Sequence, residues 1–489
     1  MGYGREGRLV KLSSFIERIH KRPYITIILV WLLVYIPIAL ILDSQFPEDT
    51  RTYLISQDDE TNRIGNTIIF MHDERGLVII MNLSYGSERI EVQVEDGYIP
   101  LNLELKGKGK LYTSDDYDAR RTWKLGWDKV QFVQGSQNLT IRVDVTKAGI
   151  RTVLLRDLGN TIIDGKTIYR DVPTHEPPLN NVFWVIPCIL GGSSLTFRLF
   201  VGLFILLSAL VLMKGWKDEG KFRMVAIGLM VLLNPLSLYS AVGIVQSSAI
   251  LLFLISSALT FYKLRRRLSA SLAVGIGMST GLFPALLIPG LLAERDELYR
   301  RVFRTLIALV IGIVPMIVIR SFEPEGVDHF LGFYLTGGGG HSPQGISLWR
   351  LLSQVGLPSF VILPGLLLFT LFMINITVRK KRLGMFFTGL LLTLLFLTLY
   401  PYIPAGAFLL PLAFVPFFWE LTFLRKFVLI LGSVSVILDL LIRSGFVEGY
   451  LIMVPFLLSL GILCVLIYLI VKVLGSHMRY ENRLGYTKY

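Results

Sequence analysis

Tyr24-Ile-Thr-Ile-Ile-Leu-Val-Trp-Leu-Leu-Val-Tyr-Ile-Pro-Ile-Ala-Leu-Ile-Leu42 is an uncharged run preceded by Arg5, Arg8, Lys11, Arg18, Lys21 and Arg22. It is long enough to cross a hydrocarbon layer of about 30 Å. Asp43-Ser44-Gln45 follows it, without the small-x-small pattern that a cleaved signal peptide carries at this point. The run therefore reads as a signal anchor. The positive-inside rule then makes residues 1–23 a cytoplasmic basic tail and 24–43 the first transmembrane helix, with the next segment outside.

Working outward, the whole chain fits that reading. Its 489 residues are 53% hydrophobic, and the mean hydropathy is +0.59, far too apolar for a soluble protein of this size. The formal charge of +13 would suggest nucleic acid in a soluble chain. Here the Lys and Arg cluster between apolar segments, as membrane topology requires, so nucleic-acid binding is excluded. The two cysteines, Cys188 and Cys464, both lie inside apolar runs and support neither a disulfide framework nor a thiolate metal site. No P-loop and no metal-ligand spacing occurs, and no metal site is assigned.

From 44 to 145 the composition becomes that of a soluble domain. Alternating segments at Thr67–Met71, Gly76–Leu83, Arg89–Glu95, Leu101–Leu105 and Leu139–Val145, separated by Gly, Asp, Asn and Ser, predict a small extracellular β-sandwich. Asn82-Leu-Ser and Asn138-Leu-Thr are glycosylation sequons on that outer side. Residues 146–181 form an outer-face loop, 182–474 a multi-helix membrane domain and 475–489 a cytoplasmic tail. The expected fold class is an α-helical polytopic membrane protein of roughly 10–13 membrane segments, with the β-domain inserted after the first transmembrane helix.

Apolar segments run over Leu195–Met213, Met224–Leu236, Val242–Tyr262, Leu268–Ala293, Thr305–Ile319, Ser359–Ile376, Met385–Leu399, Ala405–Trp419, Val428–Leu441 and Leu451–Val473. Basic clusters at Lys214 to Arg223, Lys263 to Arg267, Arg295 to Arg304, Arg379 to Arg382, Arg425-Lys426 and Lys472 to Arg483 are expected in the cytoplasm. A single crossing at Leu268–Ala293 would push two of those clusters outside. A bent hairpin with its apex at Gly281-Leu282-Phe283-Pro284 avoids this, because Gly and Pro interrupt the helix there. The connections at Asn234–Gln246, Ser321–Gly356, Tyr400–Pro404 and Arg443–Tyr450 then face outward with the hairpin apex.

Between the β-rich region and the bundle lies Arg151–Leu179, RTVLLRDLGNTIIDGKTIYRDVPTHEPPL. Its part from Gly165 to Leu179, with Tyr169-Arg170-Asp171 and Pro177-Pro178-Leu179, is followed by Gly191-Gly192 and Arg198. Leu233-Asn234-Pro235-Leu-Ser-Leu-Tyr239 and Gly243-Ile-Val-Gln246 come next, then Gly281-Leu-Phe283-Pro284. In this order the motifs resemble those of the GT-C superfamily of membrane glycosyltransferases over roughly Arg151 to Pro411. Ser247-Ser248 stands where such proteins often carry Asp after Gln, and the hairpin's usual basic residue is Thr280 or Gly281 here.

The resemblance implies transfer of a sugar, mannose or another hexose, from a polyprenyl-phosphate carrier to an outer-face glycan, protein or surface polymer. Such a reaction needs a carboxylate to take the acceptor proton and cations or hydrogen-bond donors on the departing phosphate. Asp157 is the leading base, on a segment from Lys147 to Ile163 that reads as a short helix; Asp144 and Asp171 are the others. Each has a plain counterpart: a solvated helix charge, the end of the last β-strand, and a turn before Pro173. Arg151, Arg156, Tyr169, Arg170, His175, Glu176, Arg198, Gln246 and His341 are the expected substrate contacts. Arg198 either reaches a phosphate or snorkels outward. Tyr169 and Trp184 suit interfacial anchoring, Asp439 suits polar helix packing, and the loop Gly337–Gly345, which carries His341, either closes over substrate or is simply flexible. Partners are membrane lipid, the polyprenyl-phosphate sugar and the acceptor; a divalent metal is optional. A non-catalytic glycan-binding or assembly protein derived from such an enzyme, and a lipid or polysaccharide transporter, are the competing readings.

Overall fold

The computed structural model describes residues 22–45, 150–165, 176–281, 283–292, 296–322, 324, 327, 385–400, 405–443 and 453–481, together with the backbone of β-strands between 49 and 147. The chain divides into two units. One holds Met1–Ala39, His175–Asn181 and Arg198–Tyr489, the other Leu40–Thr174 and Val182–Phe197. The predicted segment Ser359–Ile376 and the loops at 328–356, 401–404 and 444–450 lie outside the described residues.

In the second unit the strands are β1 (Asp49–Ile55), β2 (Thr61–Ile64), β3 (Thr67–His72), β4 (Leu77–Asn82), β5 (Arg89–Gln93), β6 (Tyr98–Leu105), β7 (Leu111–Thr113), β8 (Arg120–Leu125) and β9 (Ile141–Lys147). They form a three-stranded sheet of order β1-β9-β6 and a six-stranded sheet of order β2-β3-β4-β5-β8-β7, with antiparallel pairing. The β6–β9 register shifts between Pro100 and Asn102. Proline has no N–H to give the ladder, so a bulge beside it is the expected accommodation.

The helix Ile150–Ile163 follows. It buries Thr152, Leu155, Leu158 and Thr161, residues at the three-residue spacing of one helical face. Gly159 is needed for its packing: a Cβ there would lie 2.6 Å from the Trp184 carbonyl oxygen and would overlap Cys188 Sγ. Trp184 is completely buried, with its ring 6.2 Å from that of Phe197. The expected interfacial anchor is therefore a core residue of this unit.

The first unit is a helical bundle, and its first helix, Pro23–Gln45, shows how the parts are fastened. Trp31 Nε1 donates to the Gly202 carbonyl at 2.9 Å, and the buried Tyr35 hydroxyl donates to the Leu232 carbonyl at 3.0 Å. Leu232 is the last residue of its helix, so Tyr35 satisfies a carbonyl that the helix itself leaves open. Such closure matters most where no water competes. Leu29 and Leu33 on the same helix are exposed, as lipid-facing residues would be.

Among the described residues three helices, Pro23–Ser44, Ser194–Gly215 and Leu298–Phe322, are long and apolar enough to cross a membrane. A fourth arises if Lys221–Leu232 and Pro235–Gly243, bent by 53°, count as one span. Around them lie Ser248–Lys263, Arg267–Thr280, Met385–Leu399, Thr422–Arg443 and Met453–Glu481. The interruption at Gly281 is present: the helix ends at Thr280, Gly281 is extended, and a 3₁₀ turn at Phe283–Leu287 leads into Ile288–Leu292. Pro284 folds back so closely that a Cβ on Gly277 would sit 2.7 Å from its Cγ. Two segments differ from expectation. Val242–Tyr262 becomes helical only from Ser248, and Ala405–Trp419 forms 3₁₀ turns at Ala405–Ala413 and Val415–Phe418.

Candidate functional site at the Asn234–Ser248 turn

Asn234-Pro235 starts the feature. Asn234 caps the short helix Pro235–Leu238, its Oδ1 accepting the Leu236 N–H at 3.0 Å, and Pro235 occupies the first helical position, where an N–H is not needed. The chain then widens into a π-turn at Tyr239–Gly243, a rare geometry that is frequent at functional positions. Val245 follows with φ +49°, a conformation that costs a β-branched residue about 1–3 kcal/mol and persists only where surroundings enforce it. The Gln246 N–H closes the turn on the Ser240 carbonyl at 2.8 Å.

Arg198 is part of what enforces it. The residue is 4% exposed, and its Nη1 donates to the carbonyls of Val242 and of Gly243, the latter at 3.1 Å. Carbonyls at the end of a helical turn carry partial negative charge, so a guanidinium is a fitting partner. Of the two expectations for Arg198, phosphate contact or outward snorkelling, the second is corrected, because its cation is drawn inward by backbone carbonyls 44 and 45 positions away.

Gln246 and Ser248, 4% and 8% exposed, form the buried end of the turn. Among the described residues Gln246 Oε1 and Ser248 Oγ have no hydrogen-bond partner, nor have Ser237 Oγ and Ser240 Oγ on the same stretch. Gly406 lies against the first two so closely that any Cβ would overlap both atoms. Gly432 sits equally close to the capping residue, its hypothetical Cβ 2.7 Å from Asn234 Oδ1. On the other side Tyr239 Oη donates to Asp439 Oδ2 at 2.6 Å. The turn therefore carries buried neutral hydroxyl and amide groups, while Arg198 bonds its backbone carbonyls. Such groups suit the hydroxyls of a polar neutral ligand better than a bare anion.

The remaining predicted residues distribute as follows. Glu176 Oε2 accepts from Asn180 Nδ2 at 2.8 Å, and its backbone carbonyl accepts from Asn181 Nδ2 at 3.3 Å, so it ties down the start of the helix Pro178–Phe183. In the other unit, the Arg156 carbonyl accepts from Cys188 Sγ at 3.5 Å. The Arg156 stem covers Gly192, which has φ +64° and room for a Cβ only 3.3 Å from Arg156 Cδ. Asp157 and Arg151 lie in the helix Ile150–Ile163. Asp144 lies in the middle of β9, paired with Thr52 on one side and Asn102 on the other, and not at a strand end. The side chains of Asp144, Arg151 and Asp157, and all of Tyr169, Arg170, Asp171, His175 and His341, lie outside the described residues. Among the described residues no group of three His, Cys, Asp or Glu is arranged to hold a metal.

Sequence reasoning did not find Ser237, Ser240 or Gly406. Ser248 gave a signal as a departure from the family's Asp, and Asp439 as an acid inside an apolar run.

No protein-family model matches the chain, and no curated protein matches it. Among solved structures it is similar to ArnT from Cupriavidus metallidurans bound to undecaprenyl phosphate, at 16% identity over 67% of this chain and 72% of that one, with a TM-score of 0.40. It is similar also to the apo state of that protein, at 17% identity over the same shares, with a TM-score of 0.39.

Proposed function

We propose that the chain is an integral membrane glycosyltransferase that moves a hexose from a polyprenyl-phosphate carrier to an outer-face acceptor. The observation that carries this reading is the bonding of Arg198 to Val242 and Gly243. It joins two motif segments, Gly191–Arg198 and Asn234–Gln246, that are separate in sequence and resemble one family in order. In this reading a carboxylate, Asp157 first and Asp144 or Asp171 otherwise, takes the proton of an acceptor hydroxyl. The acceptor oxygen bonds to the anomeric carbon, the bond to phosphate breaks, and polyprenyl phosphate leaves. Arg151, Arg156, Arg170, His175 and His341 supply charge for that phosphate, and Tyr169, Glu176 and Gln246 hold sugar or acceptor. Arg198 positions the turn that carries Gln246. The β-strands of 44–145 form an extracellular sandwich, and the amino terminus is cytoplasmic.

The test is consumption of radiolabelled polyprenyl-phosphate hexoses by the purified protein in lipid, with Asp157→Asn, Asp144→Asn and Asp171→Asn in parallel. Loss of turnover in one variant identifies the base; full activity in all three removes these carboxylates from the mechanism. A second reading, a non-catalytic assembly or glycan-binding protein, is favoured by Ser247-Ser248 in the place of the acid. A glycan retained by a protein that consumes no donor would support it.

A further inference from the structure

In the first unit, the segment Trp216–Arg223 meets the ends of two other elements. Lys263 Nζ lies 2.9 Å and Arg223 Cζ 4.2 Å from the centre of the Trp216 ring. Arg223 Cζ is also 5.8 Å, and Arg425 Cζ 4.7 Å, from the centre of the Trp419 ring. Three cations thus share two indole rings, an arrangement in which the rings offset part of their mutual repulsion. Glu219 bonds Arg223 and, at 3.3 Å, Lys263, and Asp218 acts on Lys263 from further away. Glu219 offsets only part of the charge of these three cations.

The cluster also carries donors without acceptors. Trp216 is 3% exposed and its Nε1–H has no partner among the described residues; the Nε–H groups of Arg223 and Arg425 are buried without one there as well. An indole N–H and a guanidinium can only donate, and buried donors are ordinarily paired. What fits is an anion with several acceptor oxygens, and phosphate is one whose shape arginine matches. Its surroundings indicate where such a phosphate comes from. Phe222, next to Arg223, is 74% exposed, and Lys217, Lys221, Arg265, Arg266 and Lys426 crowd the same helix ends. Exposed aromatic surface beside massed basic residues is the pattern that meets anionic lipid headgroups.

We propose that Trp216, Arg223, Lys263, Trp419 and Arg425 form a binding site for the phosphate of an anionic membrane lipid. Native mass spectrometry of the full chain with equal amounts of phosphatidylglycerol and phosphatidylcholine tests this. Wild type is expected to retain phosphatidylglycerol about tenfold in preference, and Arg223→Gln/Arg425→Gln to lose that preference. Lys217→Gln/Lys221→Gln removes the same charge from exposed neighbours and is expected to lower the preference less than Arg223→Gln/Arg425→Gln; an equal or larger fall overturns the site. Trp216→Phe, which deletes only one donor, should weaken retention about threefold and serves where the double variant does not fold. Equal retention of both lipids by wild type, or unchanged preference in Arg223→Gln/Arg425→Gln, overturns the site. Displacement of the lipid by inorganic phosphate at equal concentration overturns its lipid source.

Discussion

The Tyr239 hydroxyl donates to Asp439 Oδ2 at 2.6 Å, across 200 positions of sequence, and so fastens the π-turn to the helix Thr422–Arg443. A hydrogen bond to a charged acceptor contributes about 1.5–3 kcal/mol, more than a neutral pair. Tyr239→Phe and Asp439→Asn should each lower the thermal unfolding midpoint. In a double-mutant cycle the two should couple by about 1–2 kcal/mol. Additive losses would mean that the pair does not hold the turn.

Gly406 and Gly461 receive the same substitution with opposite outcomes. Alanine at 406 drives its methyl into Gln246 and Ser248, in a region where every neighbour is buried, so a loss of about 1–3 kcal/mol is expected from overpacking. Alanine at 461 meets nothing within 4 Å inside the helix Met453–Glu481. There it should stabilise by about 0.5–1 kcal/mol through helix propensity and the restricted unfolded chain. Thermal unfolding of both variants in one detergent checks the pair.

Arg198→Gln removes the cation from the Val242 and Gly243 carbonyls, and about 1.5–3 kcal/mol should go with it. Arg198→Lys keeps the charge without the fork geometry and should recover only part. The readout that separates positioning from phosphate contact is donor affinity. The variants should lose stability together with the Gln246 turn, while the apparent donor KM changes less than kcat.

The Asp296 carboxyl is held below the ordinary value of 3.8, first by the backbone N–H of Glu297 and then by Arg304; slight burial opposes the shift. The N–H lies at 2.9 Å and Arg304 Nη2 at 2.7 Å. A folded-state value below the unfolded one means that the stabilisation is fully present above pH 3.8 and is lost as pH falls through the lowered value. Asp296→Asn should therefore flatten the acid limb of a stability–pH curve and leave its shape near neutrality unchanged.

Much of the helical structure was legible because it rests on local rules. Tyr24–Leu42 becomes the helix Pro23–Gln45, Lys147–Ile163 contains the helix Ile150–Ile163, and Gly281 breaks its segment as Gly and Pro require. Apolar content does not separate α from 3₁₀ geometry, so Ala405–Trp419 was not legible. Nor was β8: Arg120-Arg-Thr-Trp-Lys-Leu is mostly polar and lacks the apolar run of β3 and β4. The inward turn of Arg198 and the Tyr239–Asp439 bond depend on partners brought together by the fold, which no local pattern encodes. Asp439 was visible as an acid in an apolar run; its partner was not.

The central claim is turnover of a lipid-phosphate-linked sugar. Its most direct measurement is release of polyprenyl phosphate from a radiolabelled polyprenyl-phosphate hexose by wild type and by Asp157→Asn in lipid. The account predicts steady release by wild type in the presence of acceptor, and a fall of about 10²–10⁴-fold when the general base is lost. No release by wild type, with any polyprenyl-phosphate hexose and acceptor supplied, would contradict it.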